Sequence, residues 1–577
     1  MIPTLLEITA LREGYQRGDF TPEDVVRDVL ARIAAYADPA VWISRPTDHA
    51  IVERARSLPV DLAAIDALPL YGIPFAVKDN MDVAGMETTA GCPAYARVAE
   101  RTAFVVARLL DAGAILIGKT NLDQFATGLG GTRSPYGAPR CVFDARYISG
   151  GSSSGSAVAV AADLCSFSLG TDTAGSGRVP AGFNDIVGYK PTKGRLSTTG
   201  VLAACRTLDC VTIFAKTVRD AATLEAVATA FDAADPYARI AQDVPLRGER
   251  FSFGVLAAAD REFCGDHESA VLYEAAIARL VSCGGTAVEF DFAPFRETGA
   301  LLYGGPWVAE RLAAIALFFA ERESAMDPTV AAVIGGAKRY DARDAFEGAY
   351  ALRALERRAA HVWGEIDVML LPTTPTIFTV KEIAADPIGR NSLLGTYTNF
   401  VNLLDYSAIA VPAGFRSTGL PFGVTLVGPT HADRDLLALA ERFERANDDR
   451  IELAVAGAHL TGLPLNHQLR ELDATFVRAC RTAPSYRLYA LPDTTPPKPG
   501  LVRDPAFAGT GIKVEIWSLR PAAFGRFVGA LPAPMSIGTV TLEDGSTVAG
   551  FSCEPCALTG ALEITSFGGW RAYVAQR

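Results

Sequence analysis

Short apolar segments alternate with amphipathic helical ones along most of this chain, and that alternation limits the fold more than any other feature. Thr21-Pro22-Glu23-Asp24 reads as an N-cap, a proline at the first helical position and acids in the first turn. Val26, Val29, Leu30, Ile33 and Tyr36 follow at helical spacing. Leu70 to Val77 predicts a strand that delivers Lys78 at its end. Residues 102–112 predict a helix ended by Gly113, and Ala114–Ile117 the next buried strand. Val368–Leu371, Ala408–Val411 and Val424–Val427 carry the pattern to about Gly428. Continuous apolar strands between helices mean a sheet covered on both faces, hence an α/β fold.

After a helix expected around Asp435–Ala446 the texture changes. Residues 447–469 read as a linker, 470–480 as helical, and Pro492 to Pro499 as a break in regular structure. Ile512, Val514 and Ile516 alternate, and Val540–Leu542 with Val548–Phe551 flank Asp544-Gly545, a hairpin signal. The expected organisation is a large α/β domain over 1–446, the linker, and a small β-rich α+β domain over 470–577.

A length of 577 residues, 49% hydrophobic and 21% charged, is globular and enough for more than one core. The net charge of −11, with no cluster of Lys and Arg, speaks against nucleic acid as a partner. No apolar run reaches the ~18–20 residues of a membrane span. Glu7 and Arg12 interrupt any secretory core, so the expected location is cytoplasmic with reduced thiols. Cys553 and Cys556 lack the second ligand pair that a structural zinc needs.

Between Gly128 and Gly200 the chain is rich in Gly, Ser and Thr, yet Ala157–Ala162 continues as a buried helix. Small residues inside a packed α/β domain mean close backbone approach to a ligand rather than a linker. Two motifs there mislead. Gly113 to Thr120 spells a phosphate-loop pattern, but its intervening residues are the strand itself. Gly151-Ser152-Ser153-Ser154-Gly155 spells a nucleophile elbow, but the stretch before it is a weak strand and no suitable histidine follows. A serine can instead be activated by a neutral lysine, which requires its pKa to fall by roughly three units through burial. Lys78, after Phe75-Ala76-Val77, has that setting, with Ser152 and Ser176 as relay and nucleophile.

Val77-Lys78-Asp79-Asn80, Gly150-Gly151-Ser152-Ser153 and Gly170-Thr171-Asp172 through Gly175-Ser176-Gly177-Arg178-Val179-Pro180-Ala181 together resemble the amidase signature family. Ser176 follows Ser152 by 24 positions, the spacing of that family. The resemblance implies a mixed central sheet covered by helices and a Ser–Ser–Lys triad without metal or cofactor. Ser176 would be the nucleophile, Ser152 the bridge after a cis Gly151–Ser152 peptide, and Lys78 the base. The amides of Thr173, Ala174 and Gly175 would form the oxyanion hole if the segment is a tight turn. Asp172 and Arg178 read as an ion pair fixing that turn. The family's Gly-Gly-Ser-Ile-Arg becomes Ala174-Gly175-Ser176-Gly177-Arg178 here, which narrows the subfamily.

Gln124 to Gly128, Gly131 to Gly137, Tyr303 to Arg311 and Pro464 to Leu469 resemble the allophanate hydrolase branch. That branch acts on a small anionic amide, and the resemblance implies Tyr303, Arg311 and Gly128 as substrate-binding residues. A chain of charge −11 needs a local cation for an anion. On spacing alone, the favoured reading pairs Arg311 with Glu310 or Glu321 on a solvated helix; the resemblance reverses that. The resemblance further implies a homodimer, a metabolic link to a biotin-dependent urea carboxylase, and a C-terminal domain similar to the γ-glutamyl cyclotransferase-like fold. That domain would promote loss of CO2 or help assembly, with His467 as candidate helper and a satisfied core or capping histidine as the alternative. The competing readings are another small-amide amidase, acting on malonamate or biuret, and the catalytic component of a tRNA-dependent amidotransferase.

Overall fold

The computed structural model describes every residue except 1, 4, 60, 61, 247, 249, 447–450, 473, 493, 520 and 577. The chain parts into two units, Met1–Asn447 and Asp448–Arg577. Among the described residues the first unit is built on an 11-stranded sheet. In chain order its strands are β1 Trp42–Ser44, β2 Pro74–Lys78, β3 Ile115–Thr120, β4 Phe167–Asp172, β5 Val187–Lys190 and β6 Cys210–Ala215. They continue as β7 Phe251–Leu256, β8 Gly285–Phe290, β9 Val368–Pro372, β10 Ser407–Phe415 and β11 Pro421–Gly428. Across the sheet they run β1-β3-β2-β4-β6-β5-β10-β11-β9-β7-β8. β2 lies parallel between β3 and β4, and β4 is antiparallel to β6, so the sheet is mixed.

The helices that matter to the site are α1 Pro22–Ala35, α2 Phe104–Asp111, α3 Ser154–Ala161, α4 Val179–Phe183, α5 Ala293–Gly304, α6 Trp307–Ala314 and α7 Asp433–Ala446. α1 starts as its sequence requires: the Thr21 hydroxyl caps Asp24, whose carboxylate returns to the Thr21 amide, with Pro22 in the first turn. Val25, Val26 and Val29 form its buried face. Phe75, Ala76 and Val77 in β2 are wholly buried, and Phe75 stacks on Phe167 of β4 with ring centroids 5.1 Å apart. The phosphate-loop lookalike is a strand: Lys119 lies within β3, fully buried, its ammonium 2.9 Å from Asp79.

The second unit has its own core, which includes Leu453, Leu488, Ile516, Trp517, Phe551 and Trp570. Two expectations need correction here. Residues 447–469 are not a linker: 447–450 lie outside the described residues, but Ile451–Val455 is a strand, β12, inside a five-stranded sheet. It pairs antiparallel with Lys513–Leu519 and parallel with Thr547–Cys553, so long-range ladders decide its state. Nor are residues 470–480 one helix. Asn466–Glu471 is a short helix, α8, and Thr475–Arg481 is a strand paired with Lys513–Leu519. Thr475, Phe476 and Val477 are β-branched or aromatic, which suits a pleated surface better than a helix. The hairpin expected at Asp544-Gly545 joins Met535–Thr541 to Thr547–Cys553, with Gly545 at φ 83°.

Candidate active site

β2 is a buried parallel strand, so the residue at its end leaves the sheet without reaching water. Lys78 is 0% exposed, and its ammonium nitrogen lies 2.7 Å from Ser152 Oγ and 2.8 Å from Thr171 Oγ1. Burial pushes its pKa down to about 7; Arg311 helps, while Asp123, Asp209 and Asp172 pull the other way. A lysine in this state is half neutral near pH 7 and can accept a proton from the hydroxyl it touches.

Ser152 sits on the turn that leads into α3, and the peptide before it, Gly151–Ser152, is cis as the resemblance implied. A Cβ on Gly151 would stand 2.1 Å from Asp123 Oδ2, so no side chain fits there. Ser176 lies on the turn between β4 and α4, 3% exposed. Asp172 organises that turn: its carboxylate accepts the amides of Gly175 (2.8 Å) and Gly177 (3.0 Å) and the Arg178 guanidinium (3.0 and 3.1 Å). Both partners of this ion pair are fully buried. Burial works against the charge on Asp172, but Arg178, Lys190 and the Gly177 amide outweigh it and hold the carboxyl below its usual range. Arg178 also donates to Thr398 O and Asn402 Oδ1, both at 3.2 Å.

The expected oxyanion donors need one change. The Gly175 amide is taken by Asp172, whereas those of Thr173 and Ala174 enter no hydrogen bond among the described residues. Gly175 serves the turn differently, with φ +143° and Thr398 Oγ1 2.4 Å from where a Cβ would stand. Ser176 makes no hydrogen bond to Ser152 among the described residues; catalytic contacts of this kind often tighten only in the substrate complex.

Arg311 is 2% exposed on α6. Its guanidinium reaches Thr127 Oγ1 (3.1 Å), Ala126 O (3.4 Å) and Tyr303 Oη (3.3 Å), and lies over the Tyr303 ring. The two residues do not share one helix, since Gly305 and Pro306 break it into α5 and α6, yet they meet. The solvated-helix alternative fails: Arg311 is buried, Glu310 accepts from Thr207, and no salt bridge joins Arg311 to either acid among the described residues. Its Nε is buried without a partner. Burial works against its charge, but Tyr303, Cys205, Asp209 and Glu310 outweigh it and hold the guanidinium above its usual range, so the site keeps a cation that a carboxylate can meet. Ala174 and Tyr303 belong to one apolar cluster with Cys205, Leu208 and Trp307, so the arginine's surroundings abut the nucleophile turn. Gly128, beside Thr127, is buried with Asp123 Oδ2 2.5 Å from its virtual Cβ. It gives room to Asp123, and the described contacts do not bring it to Arg311.

Three acids and a threonine escaped the sequence reading. Thr171 is the second partner of Lys78, and its position inside a quoted motif was the available signal. Asp123 accepts the amides of Gly131 (3.0 Å) and Arg133 (2.8 Å), and burial raises its pKa. Asp209 accepts the Thr173 hydroxyl at 2.5 Å, and burial raises it to about 6. Asp79 binds Lys119. Isolated acids in a sequence look solvated, and only packing reveals them.

In the second unit His467 is exposed, its ring nitrogen 2.9 Å from Pro464 O, which matches the capping role. It does not line the cavity of about 640 Å³ in this unit, where Arg481, Lys513, Glu515, Glu543, Trp570 and Arg571 do. The buried histidine is His459, stacked on Phe551 and hydrogen-bonded to Gln468 at 2.9 Å.

Comparison with known proteins extends these observations. Residues 24–437 match the family model "Amidase", and residues 451–575 match "Allophanate hydrolase C-terminal domain". A urea amidolyase of Lachancea kluyveri is 43% identical over 96% of this chain, which spans only 32% of that relative. A glutamyl-tRNA(Gln) amidotransferase component from Symbiobacterium thermophilum is 34% identical over 76% of this chain and 96% of its own length. Among solved structures, selenomethionine-substituted Kluyveromyces lactis allophanate hydrolase superposes with a TM-score of 0.71 at 41% identity, covering 97% of this chain and 98% of the other. Among the described residues no helix is long and apolar enough to cross a membrane.

Proposed function

The chain belongs to the amidase family, and from that premise we propose that it is an allophanate hydrolase, releasing ammonia and CO2 from urea-1-carboxylate. Neutral Lys78 accepts a proton from Ser152, and Ser152 takes one from Ser176 as that hydroxyl attacks the terminal amide carbonyl. The amides of Thr173 and Ala174 meet the oxyanion. The proton returns to the departing nitrogen, ammonia leaves, and Ser176 carries the acyl group. Water then attacks by the same route and frees N-carboxycarbamate, which loses CO2. Arg311 and Tyr303 hold the substrate's carboxylate throughout.

The observation that carries this reading is Arg311, a buried guanidinium that forms no salt bridge among the described residues, set against the nucleophile turn. It favours an anionic amide over a neutral one such as biuret. Similarity to urea amidolyases supports a place downstream of a biotin-dependent urea carboxylase. A cytoplasmic location and homodimeric assembly belong to the same proposal. The test is the purified chain with allophanate: ammonia and CO2 should appear, and acid quenching should trap a mass adduct on Ser176. Ser176→Ala should remove both. Ammonia from malonamate or biuret but none from allophanate would overturn the substrate assignment.

A further inference from the structure

The segment Ala204–Asp209 touches both halves of the site, and the chemistry above makes no use of it. It folds on itself: the amides of Leu208 and Asp209 both donate to Cys205 O at 2.9 Å. The Asp209 carboxylate closes the turn by accepting the amides of Ala204 (2.6 Å) and Cys205 (3.2 Å). The same carboxylate holds the Thr173 hydroxyl, on the turn that presents Ser176. On its other side, Thr207 donates its amide and hydroxyl to Glu310 at 2.7 and 2.8 Å, and the Cys205 thiol lies 3.5 Å from Trp307 O. Trp307 and Glu310 are on α6, the helix that carries Arg311. Cys205 and Leu208 share one apolar cluster with Ala174 and Leu302. The chain breaks between α5 and α6 at Gly305 and Pro306, and this segment contacts α6 from the side.

We propose that Ala204–Asp209 is a spacer that sets the distance between Arg311 and the acyl centre, so that the enzyme selects carboxylated amides by length, with Thr207 and Asp209 as positioning residues. A substrate gripped at both ends must match the gap between the grips. An amide one methylene longer is rejected only while that gap cannot widen, and a single methylene is worth roughly 10–200-fold in a rigid site. The inference rests on the reading of Arg311 as the carboxylate holder.

The experiment compares kcat/KM for allophanate and for succinamate, the longer monoamide, in the full chain and in Thr207→Val, Glu310→Gln and the double variant. Both single variants should raise KM for allophanate and cut its preference over succinamate by about five- to tenfold. Turnover of neutral propionamide should not change, and Thr207→Ser should restore the preference. The double variant should lose less than the two single losses combined, because both weaken the same contact. An unchanged preference in both single variants would overturn the spacer, whatever happens to their melting temperatures. So would a fall in KM confined to Glu310→Gln, which would mean that Glu310 acts only as a charge near Arg311. If the wild type fails on allophanate, the functional reading is at fault, and malonamate takes its place in the same ratio, which still judges the spacer.

Discussion

Lowering the pH should switch the enzyme off chiefly through Lys78. Its ammonium is buried completely, and its pKa falls from 10.5 to about 7. At ~1.36 kcal/mol per unit that shift represents about 5 kcal/mol of preference for the neutral form. The base must be neutral to act, so activity is lost as the pH falls through the folded value. kcat/KM should stand at about half its plateau at pH 7, a tenth at pH 6 and a hundredth at pH 5. Asp209, near 6, steepens the fall below that point if its protonated form releases Thr173. The assay is ammonia release from a neutral small amide, which does not itself titrate in this range. A flat profile, or an acid limb centred near 10, would refute the reasoning, because the lysine would then be either absent from the rate or solvated. Stability follows the same shift. Between about pH 7 and 10.5 the unfolded chain holds a proton that the folded one lacks, so the destabilisation is full below 7 and fades as the pH rises. Lys78→Met should therefore melt above wild type at pH 7, by less than the full shift because contacts to Ser152 and Thr171 are lost, and the gain should vanish toward pH 10.5.

Three other perturbations test separate parts of the site. Arg311→Met should raise KM for allophanate by about two orders of magnitude, the worth of a charge-assisted pair, while a neutral amide is turned over at the wild-type kcat. Steady-state kinetics on both substrates decides; equal losses would make Arg311 structural. Asp172→Asn leaves Arg178 buried with a neutral partner, and calorimetry should show a loss of about 3–5 kcal/mol together with activity. His467→Ala should leave the yields of ammonia and CO2 unchanged, since the ring is exposed and, among the described residues, bonded only to Pro464 O.

The parts of the site that lie in contiguous motifs were legible before any coordinates: Lys78 after its apolar strand, Ser152 beside its glycines, and Asp172 with Arg178 around Ser176. Each is fixed by local chemistry, whether burial of a strand end or a carboxylate closing a five-residue turn. What stayed hidden depends on partners distant in the chain. The Thr207–Glu310 contact spans 103 positions, and the mixed order of the strands is set by packing that no local pattern records. Ile451–Val455 was missed for the same reason: a five-residue strand announces itself only through the ladders on either side of it. The fate of the Gly175 amide was equally invisible, because the backbone donors of a turn carry no signature in side-chain sequence.

The buried guanidinium of Arg311 also bears on how the protein meets small anions. A small dianion that pairs with this guanidinium binds the folded state and not the unfolded one, so it should raise the melting temperature. Malonate and its like should thus behave as stabilising tenants as well as competitors. In a cell, the standing pool of such metabolites would decide how many molecules are vacant when a real substrate arrives.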